Sequence, residues 1–327
     1  MSREAVRDAL RSASRITAIC HENPDADTLG AALAIRTAAL RLGKEAEVVA
    51  ADGVPPFLRD LPGADSVRRR PQLEPDVAVV VDGPPSRTGA VATEDRAWLD
   101  RARVLNIDHH VSNDGSGVLA AWIDPEAAAT CEMVAALLPE LGIEIDAEIA
   151  TQLAAGIVQD THTFSHPNAT PRTLRVTADL VEAGAPLSRL HRAIYADKPF
   201  STMALWGRML NDVAQRCDGR IVYTAQTLAM LTETGSEPTA TEGFIDLLAG
   251  TKAADITVLF KEADAFQVRV SVRTSARADA VAITSAFGGG GHARAAGCTL
   301  ETPLADAVGR VLDECERELD RADARGR

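Results

Sequence analysis

No stretch of apolar residues in this sequence approaches the ~20 needed to span a bilayer, and the charged, polar first residues lack the apolar core of a signal peptide. Both absences lead to the expectation of a cytoplasmic protein. Cysteine is sparse: Cys20, Cys131, Cys217, Cys298 and Cys315 are odd in number and show no C-x-x-C spacing. That pattern fits a reducing compartment rather than a disulfide framework or a zinc knuckle. Positive charge is also short. The 34 Lys and Arg against 47 Asp and Glu leave a formal net charge of −13, which argues against a broad groove for long nucleic acid. A small anionic substrate stays compatible, because a metal ion or a few arginines can dominate a local field. Internal repeats and low-complexity tracts are absent as well.

What is present is an ordinary globular composition over 327 residues, enough for two domains. Short β-branched or apolar runs at Ile16–Cys20, Glu47–Ala50, Val77–Val81 and Val104–Ile107 alternate with helical stretches at Asp27–Leu42, Ala127–Leu138, Asp146–Val158 and Pro171–Ala183. Gly142 and Gly184 lie where helices would stop. The alternation predicts an α/β domain over residues 1–190, a mostly parallel sheet covered by helices. Residues 191–216 read as a helical linker, in which Trp206 and its neighbours Met203 and Met209 serve either interdomain packing or a homodimer face. Residues 217–327 read as a smaller C-terminal α/β domain across a cleft. Its strands are expected at Ile221–Ala225, Ile256–Lys261 and Phe266–Val272, with a hairpin turn at Lys261–Ala265, and its helices at Ala276–Phe287 and Leu304–Leu319.

Four segments of the first domain end strands or helices with metal-competent residues. His21, Asp25 and Asp27 follow the first strand, where open α/β sheets place their ligands. The plain alternative makes Asp27 a helix N-cap and Asn-Pro a turn initiator. Asp82 follows the all-apolar run Val77–Val81, where an unpaired carboxylate would be costly. Asp108-His109-His110 follows Val104–Ile107, and Asp160 follows the helical run ending at Val158. Together they offer two histidines and four aspartates, a set that suits two divalent ions with one bridging carboxylate, and hence hydrolysis of a phosphoester or phosphoanhydride. In the second domain, Gly288, Gly289, Gly290 and Gly291 precede His292 and Arg294. Four glycines let backbone N–H groups approach a phosphate, and a tight turn alone does not call for four. Arg269 and Arg273 share one face of the neighbouring strand, and Arg273 is the better candidate for substrate contact.

These residues, in this order, resemble the DHH phosphoesterase superfamily over nearly the whole chain, with the glycine run similar to that of its C-terminal associated domain. Length and domain order look most like its group of oligoribonucleases (nanoRNases) that also act as 3′-phosphoadenosine 5′-phosphate (PAP) phosphatases; actinobacterial members are also associated with cyclic dinucleotide hydrolysis. The resemblance implies two Mn²⁺, with Mg²⁺ or another divalent ion as substitutes. His21 and Asp25 would hold one ion, Asp27, His109 and Asp160 the other, and Asp82 would bridge. It implies that Asp108 orients His109, that His110 stabilises the scissile phosphate, and that His292 and the glycines hold a terminal phosphate or nucleotide. One departure stands out: His162 follows Asp160-Thr161 where many relatives carry glycine.

The expected activity is therefore Mn²⁺-dependent hydrolysis of short RNA or of dinucleotides, linear or cyclic di-AMP included, with PAP as a second substrate. A family-II-like inorganic pyrophosphatase and a non-catalytic nucleotide sensor are the competing readings. The glycine-rich loop argues against the first, and the complete ligand set against the second.

Overall fold

A computed structural model describes residues 2–241 and 243–325 and divides the chain into two compact units, Met1–Asp197 and Lys198–Arg327. The segment 191–216 is shared between them.

In the first unit, β1 (Arg15–Ile19), β2 (Glu45–Val49), β3 (Val77–Val81), β4 (Arg103–Asp108) and β5 (Ala120–Ile123) form a parallel sheet in the order β2-β1-β3-β4-β5. Four of these match the expected runs to within two residues. The edge strand β5 is only four residues long, too short to announce itself by periodicity. All five residues of β3, Val-Ala-Val-Val-Val, are buried, as in a sheet covered on both faces. The helices are α1 (Arg3–Ser12), α2 (Ala26–Arg41), the single turns α3 (Ala90–Thr93) and α4 (Arg96–Leu99), α5 (Thr130–Leu137), α6 (Ala147–Asp160), α7 (Pro171–Glu182) and α8 (Leu187–His191). From β1 the chain goes to β2 on one side, and β3 then lies on the other, so the sheet order reverses there. A crevice opens at the carboxyl ends of strands flanking such a reversal.

Helix α2 starts in that crevice. Every residue from Ala26 to Ile35 is buried, which suits its Ala- and Leu-rich composition on all sides. Its approach to α6 depends on two glycines. A Cβ on Gly30 would lie 2.3 Å from the Gln152 carbonyl oxygen, and one on Gly156 would lie 2.4 Å from the Asp27 carboxylate.

The second unit contains β6 (Ala214–Arg216), β7 (Ile221–Gln226), β8 (Ile256–Asp264), β9 (Gln267–Thr274), β10 (Gly290–His292) and β11 (Ala295–Leu300), in the order β10-β11-β9-β8-β7-β6. Among the described residues, only the β7–β8 pair of this sheet is parallel. On one face, α12 (Ala280–Thr284) and α13 (Leu304–Arg325) bury Val258, Phe260, Val270, Val272, Leu312 and Cys315. On the other, α9 (Phe200–Asn211), α10 (Leu228–Thr234) and α11 (Phe244–Ala249) bury Leu205, Met209, Val222 and Leu259. Trp206 packs edge-on to Phe244 at 5.3 Å and donates to the Ala240 carbonyl, so its ring is used inside this unit.

Several boundaries differ from expectation: α13 runs six residues past the expected end at Leu319, to Arg325, and α5 starts at Thr130 rather than Ala127. The β8–β9 hairpin turns at Ala265–Phe266 rather than over Lys261–Ala265, because Lys261 and Glu262 still pair with Arg269 and Val268. The helix expected from Ala276 starts at Ala280, where the Asp279 side chain caps the N–H groups of Val281 and Ala282. None of the helices among the described residues is long and apolar enough to cross a membrane.

Gly30→Ala and Gly156→Ala should each lower stability by about 1–3 kcal/mol through overpacking, measured by urea unfolding. Native stability in both variants would mean that α2 and α6 lie farther apart than described.

Candidate metal centre

The first carboxylate at the crevice, Asp25, is the N-cap of α2: its Oδ1 accepts from the N–H groups of Asp27 and Thr28 at 3.0 and 3.1 Å. Asp27 is therefore not the cap. It is fully buried within the first turn, and its two oxygens accept from the N–H groups of Thr130 (2.6 Å) and Cys131 (2.8 Å) at the start of α5. A helix N-terminus favours negative charge, so α5 holds this carboxylate ionisable where burial opposes it.

Asp82 sits on a left-handed turn after β3, with φ of +61° at Asp82 and +153° at Gly83. Asn106, in the middle of β4, donates to the carbonyls of Val80 (3.0 Å) and Gly83 (2.9 Å) and so clamps the turn on both sides of Asp82. The Thr130 hydroxyl donates to Asp82 Oδ1 at 3.2 Å.

Two histidines face these carboxylates. The Nδ1 of His21 donates to the Glu22 carbonyl at 2.7 Å, and that of His109 to the Ala127 carbonyl at 3.2 Å. A carbonyl only accepts, so Nδ1 carries the proton in both rings and Nε2 presents its lone pair. The Nε2 of His21 lies 3.3 Å from Asp82 Oδ2 and 3.8 Å from Asp25 Oδ1. That of His109 lies 3.1 Å from Asp160 Oδ2, 3.4 Å from Asp82 Oδ1 and 4.0 Å from Asp27 Oδ2. A lone pair cannot face carboxylate oxygens at these distances without a cation between them, either a second ring proton or a metal ion.

In the metal-free chain, protons fill that role. Burial, with repulsion from Asp82 and Asp160, lifts Asp25 to about 7 and Asp27 well above the carboxylate range. Burial also raises Asp160. Burial would raise Asp82 too, but hydrogen bonds from His109 and His21 hold it below the usual range. For the two rings burial opposes charge, yet Asp82 lifts His21 to about 9, and Asp160 with Asp82 lifts His109 to about 12.

Among the described residues, donor atoms fall into three groups whose members lie within 4.8 Å of one another: His21, Asp25 and Asp82; Asp27, Asp82, His109 and Asp160; and Asp82, His109 and His110. Asp82 belongs to all three. Imidazole nitrogen with carboxylate oxygen is a donor set for divalent transition cations, and the repulsion among buried carboxylates is what such a cation relieves.

Asp108 does not orient His109. Its Oδ1 accepts from Nδ1 of His110 at 2.7 Å and from the His110 backbone N–H at 3.1 Å. This pairing raises the His110 pKa. The other oxygen of Asp108 accepts from Asn113 at 2.6 Å, and Asn113 also donates to Asn106 at 2.7 Å. One hydrogen-bonded chain thus joins His110 to the turn that carries Asp82. Asn106, Asn113, Thr130 and Gly156 were all missed from sequence. Only Asn106 left a signal, as a polar residue inside the apolar run Val104–Ile107.

The second unit's candidates lie on β9 to β11. Arg273 donates to Asp246 at 2.9 Å, and Arg294 donates to the Ala278 carbonyl at 2.7 Å, so both guanidinium groups also brace their own unit. The glycine run is not a free loop: Gly290–His292 pairs with Ala295–Gly297. A Cβ on Gly289 would lie 2.3 Å from the Gly297 carbonyl oxygen, and one on Gly291 would lie 2.6 Å from that of Ala295. The hairpin itself therefore requires two of the glycines, and the φ of +71° at Gly288 suits a third. Gly288 and Gly289 border a shallow depression with Lys261, Arg269 and Ser271. His292 is exposed at the end of β10.

The chain belongs to the DHH family: residues 15–157 match the DHH family, N-terminal domain, and residues 221–320 match the DHHA1 domain. It is a phosphoesterase, a hydrolase of a divalent-metal-dependent family. The chain is 36% identical, over 92% of its own length and 89% of the relative's, to the bifunctional oligoribonuclease and PAP phosphatase NrnA of Thermus thermophilus. It is 27% identical to the Bacillus subtilis protein of the same name, over 90% and 92% of the two chains. A solved exopolyphosphatase-related protein from Bacteroides fragilis shares the fold, with a TM-score of 0.89 at 21% identity, covering 98% of this chain and 97% of that one.

Asn113→Ala should lower turnover about 10- to 100-fold, the usual cost of removing a partner that orients a site residue, and unchanged kinetics would show that Asp108 needs no such support. A second expectation concerns pH. Asp25 and His21 have folded pKa values raised to about 7 and about 9, so their contribution to stability is present at low pH and lost as pH rises through those values. The metal-free chain should weaken between about pH 4 and pH 9, and a divalent cation should raise Tm more at about pH 8 than at about pH 6. Thermal melts with and without EDTA measure this; a cation effect independent of pH would count against the cluster as the binding site.

Proposed function

We propose that this chain is a Mn²⁺-dependent phosphodiesterase that hydrolyses short oligoribonucleotides or dinucleotides, linear or cyclic di-AMP among them, to mononucleotides by two-metal activation of water. The same site is proposed to remove a phosphate from PAP. The observation that carries this reading is the position of Asp82, whose Oδ2 faces His21 at 3.3 Å and whose Oδ1 faces His109 at 3.4 Å. One carboxylate between two imidazoles, each backed by further aspartates, supports a bridge between two divalent ions. In this reading His21 and Asp25 hold one ion, and Asp27, His109 and Asp160 hold the other. Four carboxylates carry the charge that two such ions neutralise. Mixed nitrogen and oxygen donors favour Mn²⁺ over Mg²⁺. The names of the Thermus and Bacillus relatives support short RNA and PAP as substrates.

When bound, the ions supply Lewis acidity, lowering the pKa of water toward neutrality and offsetting charge on the phosphoryl group. The rest falls to the chain. Asp108 accepts from Nδ1–H of His110 and so fixes the orientation of the ring. The raised pKa favours the protonated ring, a donor to a non-bridging oxygen of the scissile phosphate. Arg273, Gly288, Gly289, Gly290, Gly291, His292 and Arg294 are proposed as contacts to substrate phosphates. In the reaction a water oxygen bonds to phosphorus and gives up a proton, the bond from phosphorus to the leaving ribose oxygen breaks, and that oxygen takes up a proton in turn, so none is gained or lost overall.

The test is a panel of a linear dinucleotide, a five-mer RNA, cyclic di-AMP, PAP and pyrophosphate, with Mn²⁺ and with EDTA. Mononucleotide release from the short RNAs, lost on chelation, is expected; cleavage of pyrophosphate alone would overturn the reading. Asp82→Ala should lower every activity by at least roughly 10²-fold, and near-normal turnover would sink the two-metal scheme.

A further inference from the structure

Directly after Asp160 and Thr161 the chain makes a left-handed turn, with φ of +47°, +52° and +64° at His162, Thr163 and Phe164. Three consecutive residues with side chains in this region are costly and persist only where their surroundings hold them. The hold here is explicit. His162 N–H donates to the Gln159 carbonyl at 2.9 Å, Thr163 N–H to that of Val158 at 2.8 Å, and Phe164 N–H to the Thr161 hydroxyl at 3.0 Å. The Thr163 hydroxyl and His191 Nδ1 are 2.8 Å apart.

The turn stacks rings. The His162 ring stacks on His166 at 5.2 Å, within 19° of parallel, and lies 4.4 Å from Tyr195 at a tilt of 51°, so Tyr195 backs the stacked pair rather than extending it. The Tyr195 hydroxyl donates to the Gln159 carbonyl at 2.6 Å, and the Gln159 side chain accepts from Ala26 N–H at 2.7 Å, between Asp25 and Asp27. The ring cluster therefore stands on the helix end that carries Asp160 and braces α2. His166 is exposed and His162 half-buried, so a hydrophobic core does not account for them.

We propose that the stacked His162–His166 pair, backed by Tyr195, is a stacking platform for the base next to the scissile phosphate. This rests on the phosphodiesterase reading above and adds its substrate preference. Every base has a π face, so the platform favours nucleotides over base-free phosphates without reading sequence, and purines, with the larger face, bind best.

The experiment compares a linear diadenylate with the same dinucleotide made abasic at each position in turn. Wild-type protein should show the lower KM for diadenylate. His166→Ala, at an exposed position, and His162→Gly, which suits a φ of +47°, should each raise that KM about five- to a hundred-fold. Their kcat should change less, and the KM for one of the abasic substrates should stay put. His166→Phe, which keeps a ring, should keep the wild-type KM. Wild-type KM for diadenylate in both ring-deleting variants, or an equal rise for both abasic substrates, would overturn the platform. Failure of the wild-type protein to cleave any of these dinucleotides would overturn the phosphodiesterase reading, and the platform with it.

Discussion

Four carboxylates, those of Asp25, Asp27, Asp82 and Asp160, are crowded around two imidazoles at the carboxyl ends of β1, β3 and β4 and the C-terminus of α6, and their mutual repulsion governs what surrounds them. Each surrounding feature offsets part of it. The start of α5 directs two N–H groups at Asp27. Backbone carbonyls accept hydrogen bonds from Nδ1–H of His21 and His109, which turns Nε2 of both toward the acids. Gly156 leaves the space in which the Asp27 side chain lies. What the protein part leaves uncompensated is the charge that a divalent cation supplies, so the same repulsion that would destabilise a metal-free chain is the source of affinity in a loaded one.

Rigidity follows from the same need, because opposed charges are useful only at fixed separation. Asn106 illustrates how it is met. Its side chain ties the carbonyls on either side of Asp82 and, through Asn113 and Asp108, reaches His110. The turn after β3 that carries Asp82 and the end of β4 that carries His110 are thus held as one piece. The backbone strain at Asp82 is held by this clamp, and the left-handed turn at His162–Phe164 is held in the same manner by bonds back to α6.

The second unit uses glycine for a different end. Steric demands of the β10–β11 hairpin account for Gly289 and Gly291, and the left-handed cap for Gly288. The run is built first as structure.

Much of this was legible in sequence, because it is local. Parallel strands buried on both faces need apolar runs, and the ends of those runs are where ligands gather; hence four of five strands, the order of the metal-competent residues and the α/β class could be read directly. Cap chemistry was legible only in part, since Asp25 and Asp27 are equally good cap residues until packing buries one of them. The rest is decided by contacts between segments far apart in the chain. That Asp27 meets Thr130 and Cys131, that Asp108 serves His110 rather than His109, and that Gly156 must lack a side chain all depend on how α2, α5 and α6 lie against one another. Spacing along the chain carries no term for that. The sequence by itself determined which groups could bear charge and where strands would end, whereas only the tertiary structure decided which of those groups share a partner, because partnership is set by distance in space.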